Sequence, residues 1–173
     1  MKSEFFTILK PYEEIFSKPQ MSHFVAFITG LSVCSICSIT RMSEIDLRDR
    51  SSMNRFLTES PWEIEKIKSV YHKQIEPFIT KGSSLLIDDT NSKRPYAKKV
   101  EKANYHYDHT EGKNVLGYNL VTSVIFSNEE TIPFNLVPYY RAEDCFDKRF
   151  KTKNQIVAEI INSAASNRNI TLV

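Results

Sequence analysis

Apolar residues recur at helical spacing through the first part of the chain and at strand spacing through the second. QMSHFVAFITGLSVCSI, residues 20–36, predicts an apolar helix in which Gly30 is a candidate break. TRMSEIDLR at 40–48 and SSMNRFLTES at 51–60 predict two shorter helices, the first with Thr40 as its N-cap. SPWEIEKIKSVYHKQIEPFI at 60–79 carries a start signal: Ser60 as cap, Pro61 in the first helical position, Glu63 closing a capping box. Ile64, Ile67, Tyr71, Ile75 and Phe78 follow at three- and four-residue steps and predict one buried face, ended by Pro77 and Gly82.

Past Gly82 the pattern changes. SSLLID at 83–88 predicts a short buried strand, and the polar, basic residues 90–114 a long loop or ribbon. VLGYNLVTSVIFS at 115–127 is apolar on both faces, which predicts a central strand. NEE turns the chain into TIPFNLVPYY at 131–140, where Pro133 predicts a sheet edge. TKNQIVAEIINSAAS at 152–166 predicts a helix with a Thr152/Gln155 capping box and a face of Ile156, Val157, Ile160, Ile161 and Ala164; ITLV then begins a strand. The expectation is an α+β chain. A helical module spans 1–82, with possible DNA binding through Arg41, Arg48, Arg50 and Arg55 in a helix-turn-helix-like arrangement, or a role as a helical cap. The first half of an RNase H-like mixed sheet, β-β-β-α-β, spans 83–173.

Composition narrows the chemistry. With only four glycines there is no glycine-rich phosphate loop. The formal net charge of +2 announces no nucleic-acid protein, so the location of the charges has to carry that argument. The odd cysteine set, Cys34, Cys37 and Cys145, suits a reducing compartment, and the apolar surroundings of Cys34 and Cys37 suit buried thiols. No apolar run spans a bilayer and residues 1–16 have no signal-peptide pattern, so the expectation is a cytoplasmic, nucleoid-associated chain without a membrane partner.

The sharpest local feature is LLIDDTNSKRP, residues 85–95, where an apolar run enters paired carboxylates and then a basic tail. With YHYDHTEGKNVLGYNLVTS at 105–123 and SSMNRFLTESPWEIEKI at 51–67, it resembles the first catalytic-motif region of DDE transposases. The likeness is to the IS4-like or IS701-like insertion-sequence group, over roughly residues 20–140. That resemblance implies metal-dependent DNA strand cleavage and transfer by three acids and Mg²⁺ or Mn²⁺, on transposon ends and target DNA. It aligns Asp89 with the first acid and metal ligand. Asp88 remains the competitor, since a shift by one residue selects the other strand face. The bland alternative is that both acids end a strand and cap a turn with Thr90.

The resemblance supplies no second Asp and no Glu within 1–173, so the expectation is a truncated or split transposase. Such a chain is inactive alone, binds metal weakly, and self-associates or pairs with a downstream fragment. The alternative is a non-catalytic DNA-binding or dimerising regulator of transposition. Lys93, Arg94, Lys98, Lys99 and Lys102 beside the acids are candidate phosphate contacts, with Lys148, Arg149, Lys151 and Lys153 a second cluster. His106 and Asp108 would share a strand face; with no further ligand partner evident, a zinc reading is the weaker one. Trp62 reads as a packing anchor.

Overall fold

The structure, a computed structural model, describes residues 2–35, 38–46, 49–96, 102–145 and 150–171. By its internal contacts the chain divides into a helical unit, Met1–Gln74, and a sheet-bearing unit, Ile75–Val173.

The helical unit contains α1 (Lys2–Leu9), α2 (Lys18–Val33), α3 (Ile39–Asp46), α4 (Arg50–Glu59) and α5, which runs Ile64–Ile75. Its core is aromatic: Leu9, Tyr12, Phe16, Phe24 and Phe56 are buried together. Phe16 and Phe24 lie 4.8 Å apart between centroids, as do Phe56 and Trp62. Offset and edge-on packing of this kind adds to the burial of large ring areas. Trp62 is the packing anchor expected of it, and its indole N–H donates to the Phe56 carbonyl at 3.2 Å.

That contact also explains why α5 starts later than its capping signal. With Trp62 held by the core, Ser60 ends α4 and the helix begins at Ile64; the expected Ser60/Glu63 capping box does not form at its start. The predicted face is also revised. Ile67 and Val70 pack on the core and Ile75 is buried, whereas Ile64 and Phe78 are exposed. Gly30 is not a break. α2 runs through it, and a Cβ there would lie 2.6 Å from Met42 Cγ, so the glycine admits α3. Thr40 lies inside α3, and the Ser38 hydroxyl accepts from the Arg41 N–H instead. Cys34 is half-buried rather than buried, and Cys37 lies outside the described residues; Cys145 is also half-buried.

The second unit is α+β, with a mixed five-stranded sheet: β1 (Ser83–Lys93), β2 (Asn104–Asp108), β3 (Lys113–Ser127), β4 (Glu130–Tyr139) and β5 (Ile170–Thr171). The helix α6 (Lys153–Ala165) crosses between β4 and β5. β3 pairs antiparallel with β1, β2 and β4, the central position expected from apolar residues on both its faces. β5 runs parallel to β1, so the order is β-β-β-β-α-β, the expected RNase H-like β-β-β-α-β with one strand, β2, added.

Two expectations change. β1 does not stop at the acids but continues four residues beyond Asp89 to Lys93, and β2 occupies part of the expected loop. The hairpin after β3 turns on Asn128 and Glu129, both at positive φ (49° and 66°), the twist that matches right-handed strands. Pro133 sits on β4, which pairs with β3 alone, at a register shift between Ser123 and Val124. There the Asn135 N–H finds the Ser123 hydroxyl at 3.0 Å.

Register separates the sheet faces. Val121, Ser123, Ile125 and Ser127 of β3 are buried on the side where Ile156, Ile160 and Ala164 of α6 pack. The alternate residues lie on a more open face, where Leu86, Phe126 and Leu136 are exposed.

Candidate active site at Asp89

Because side chains alternate along a strand, Asp88 and Asp89 point to opposite faces. Asp89 pairs with Val121, placing it on the α6 side; Asp88 pairs with Thr122 on the open side. Asp88 is occupied locally: its carboxylate accepts from the Asp89 N–H at 2.8 Å, and its carbonyl accepts from the Thr122 hydroxyl at 3.2 Å.

Asp89 sits in a network instead. The capping box of α6 is formed as predicted, with the Gln155 N–H donating to the Thr152 hydroxyl and Gln155 Oε1 accepting from the Thr152 N–H. The cap fixes where the helix begins, and Lys153, its first residue, donates to Asp89 Oδ2 at 2.5 Å. Asn119 Nδ2 reaches the same oxygen at 3.3 Å and Asn91 Oδ1 at 3.0 Å, while Asn91 donates to the Tyr107 carbonyl. The two acceptors around Nδ2 fix which end of the Asn119 amide is which. Its Oδ1 is then buried without a hydrogen-bond partner. The Lys153 hydrogen bond, helped by Asn119, holds the Asp89 carboxyl below the usual range.

Around this centre Lys153 lies 5.5 Å from the centroid of the Tyr139 ring. His106 is pushed down, chiefly by burial, then by the positive charges of Arg141 and Lys153, with Asp144 opposing them. Arg141 donates to the Tyr105 carbonyl, and Asn104 donates to Asp144. His106 and Asp108 share a face of β2, yet their surroundings diverge. Asp108 is 6 % exposed, accepts the N–H groups of Thr110 and Glu111 at 2.9 and 3.0 Å, and pairs with Lys93 at 3.0 Å. The Lys93 contact and these turn N–H groups hold its carboxyl low.

The basic residues divide. Lys93 is engaged by Asp108 and Glu111. Arg94 and Lys102 are exposed, and among the described residues neither pairs with a carboxylate. Lys98, Lys99, Lys148 and Arg149 lie outside the described residues, as does Arg48. Lys151 pairs with Glu159 at 2.7 Å, and Arg41 with Glu44 at 3.0 Å.

Sequence reasoning singled out the acids as candidates and did not single out Asn119, Asn91 or the pairing of Lys153 with Asp89. An asparagine in the middle of an otherwise apolar strand was the available signal for Asn119. Lys153 read only as part of a basic run, since nothing local links residue 153 to residue 89.

Oxygen donors are the chemistry a hard divalent cation takes, and Asp89 offers a half-exposed carboxylate with the positive charge of Lys153 already against it. The donor set fits such an ion but is partial: among the described residues no group of three or more His, Cys, Asp or Glu comes together that could hold one. No helix among them is long and apolar enough to cross a membrane. A family model described as DDE superfamily endonuclease matches residues 12–172, nearly the whole chain. Comparison with curated proteins returns no match.

Proposed function

Since the chain belongs to the DDE superfamily endonucleases, we propose that Asp89 is the first acid of a DNA strand-cleavage and transfer site of an insertion-sequence transposase. The observation that carries this reading is the environment of Asp89: it is ionised by Lys153, oriented by Asn119, and lies where the α6 N-terminus meets the sheet. Asp88, on the other face, has neither contact. A Mg²⁺ or Mn²⁺ ion bound there would activate the attacking oxygen and stabilise the leaving one in a displacement at phosphorus.

This chain's own residues prepare the carboxylate. Asn119, itself held by Asn91, fixes the side-chain direction. Lys153 offsets its charge. Among the described residues no second and third acid join Asp89, and residues 1–173 by themselves are expected not to nick DNA. The partial donor set also favours the second reading, a DNA-binding or dimerising regulator.

Adding Mn²⁺ to the isotope-labelled chain tests the assignment. Amide signals around Asp89 and Asn119 should broaden in the native chain and in Asp88→Asn, but not in Asp89→Asn. Broadening lost in Asp88→Asn and kept in Asp89→Asn would reverse it. With end-containing DNA and Mg²⁺, nicking should not exceed that of the Asp88→Ala/Asp89→Ala chain; cleavage above that background contradicts inactivity.

A further inference from the structure

On the sheet face opposite Asp89, a cavity of about 550 Å³ is lined by Ser92, Arg94, Lys102, Tyr118, Leu120, Pro138 and Tyr140. Its floor follows from register. Ser92 pairs with Tyr118, and Leu120 with Pro138, so all four are on the open face. Arg94 follows β1, Lys102 precedes β2 at φ 59°, and Tyr140 follows β4. Residues from four stretches of the chain, at 92–94, 102, 118–120 and 138–140, thus converge on one hollow.

Among the described residues the lining is two cations, two phenol rings, an apolar floor and a hydroxyl, with no acid. Among the described residues the Arg94 side chain makes one hydrogen bond, to the Lys93 carbonyl at 3.3 Å, which leaves most of its fork available to a ligand. The Lys102 ammonium lies 5.0 Å from the centroid of Tyr140. The ammonium covers one face of that ring, so a base stacks there only once the ammonium moves off, and a phosphate is the anion that would draw it away. A second cavity, of about 410 Å³, shares Lys102, Pro138 and Tyr140 and continues past them to Cys145 and Ile156.

Aromatic faces beside paired cations suit a ligand that alternates planar bases with phosphates. We propose that this cavity binds a nucleotide of single-stranded DNA, its base stacked on Tyr140 and its phosphate taken by Arg94 and Lys102. The site is separate from the Asp89 centre, because β1 and β3 lie between them. It rests on the DNA-acting reading above only in naming DNA as the source of the nucleotide.

The test is fluorescence anisotropy of a labelled oligothymidylate with the chain of residues 1–173. Tyr140→Leu and Arg94→Gln should each weaken binding roughly tenfold, in the range that one stacked base supplies. An abasic strand of equal length should bind the native chain as weakly as the thymidylate strand binds Tyr140→Leu. Both substitutions are at surface positions, and unchanged circular dichroism confirms the fold. Tyr140→Leu should also keep the Mn²⁺ broadening around Asp89, so failure here and failure of the Asp89 assignment are read separately. Native affinity in Tyr140→Leu, or equal affinity for the abasic strand, overturns the proposal. Thymidine monophosphate binding as tightly as the strand overturns DNA as the source.

Discussion

At position 117 a single missing methyl decides whether two strands can meet. Gly117 pairs with Lys93 of β1 and with Asn104 of β2, and a Cβ there would lie 2.2 Å from the Ser92 carbonyl oxygen. That neighbour is backbone and has no rotamer to escape into. Gly117→Ala should therefore destabilise the sheet unit by about 3 kcal/mol, the upper end of overpacking costs, measured by urea denaturation. His106 gives a pH prediction at the same scale. Its folded pKa is depressed by burial and by Arg141 and Lys153, so below about pH 6.5 the unfolded chain takes up a proton that the folded one resists. Stability should fall as pH drops from about 7 through this window. His106→Gln should flatten that slope, and an unchanged slope would show that another group sets it. Asp89 acts at lower pH: its depressed pKa contributes stability that is present above about pH 4 and is lost as pH falls through the folded value.

Among the elements, α6 connects local sequence to the site. Its start is set by the Thr152/Gln155 box, and its first residue is the partner of Asp89. Thr152→Ala should cost about 1 kcal/mol, the usual worth of an N-cap. It should also loosen the hold of Lys153 on Asp89, so the Asp89 carboxyl pKa, followed by NMR titration, should rise toward its ordinary value. A stability loss without that rise would mean that Lys153 is positioned by something other than the cap. The capping box was legible because all of its partners lie within four residues. Position 60 shows the limit of the same rule: the Ser60-Pro61-Trp62-Glu63 signal is chemically sound, yet Trp62 packs into the aromatic core and delays the helix to Ile64.

For the whole molecule, the division into Met1–Gln74 and Ile75–Val173 assigns each core its own group of elements. Phe56, 3 % exposed among the rings of the helical unit, is the residue whose loss should separate them. Phe56→Ala should cost about 3–5 kcal/mol. By hydrogen-exchange mass spectrometry it should raise exchange across α1–α5 and leave β1, β3 and β4 near their native rates. Equal acceleration in both units would show that they unfold as one.

What the residues alone determined was whatever depends on near neighbours. Periodicity placed the later helices, the central strand and the edge strand; Thr152 and Gln155 placed the start of α6; the apolar run into paired acids marked the candidate site. Tertiary structure decided which acid of the pair faces α6, because that depends on pairing with residues 121 and 122, some thirty positions away. It also decided that Lys153 meets Asp89 across 64 residues, and that Lys93 goes to Asp108 and Glu111 while Arg94 and Lys102 border a cavity. Charge has no periodicity that pairs it with a distant partner. Only the sheet register and the helix crossing bring those groups within hydrogen-bonding distance.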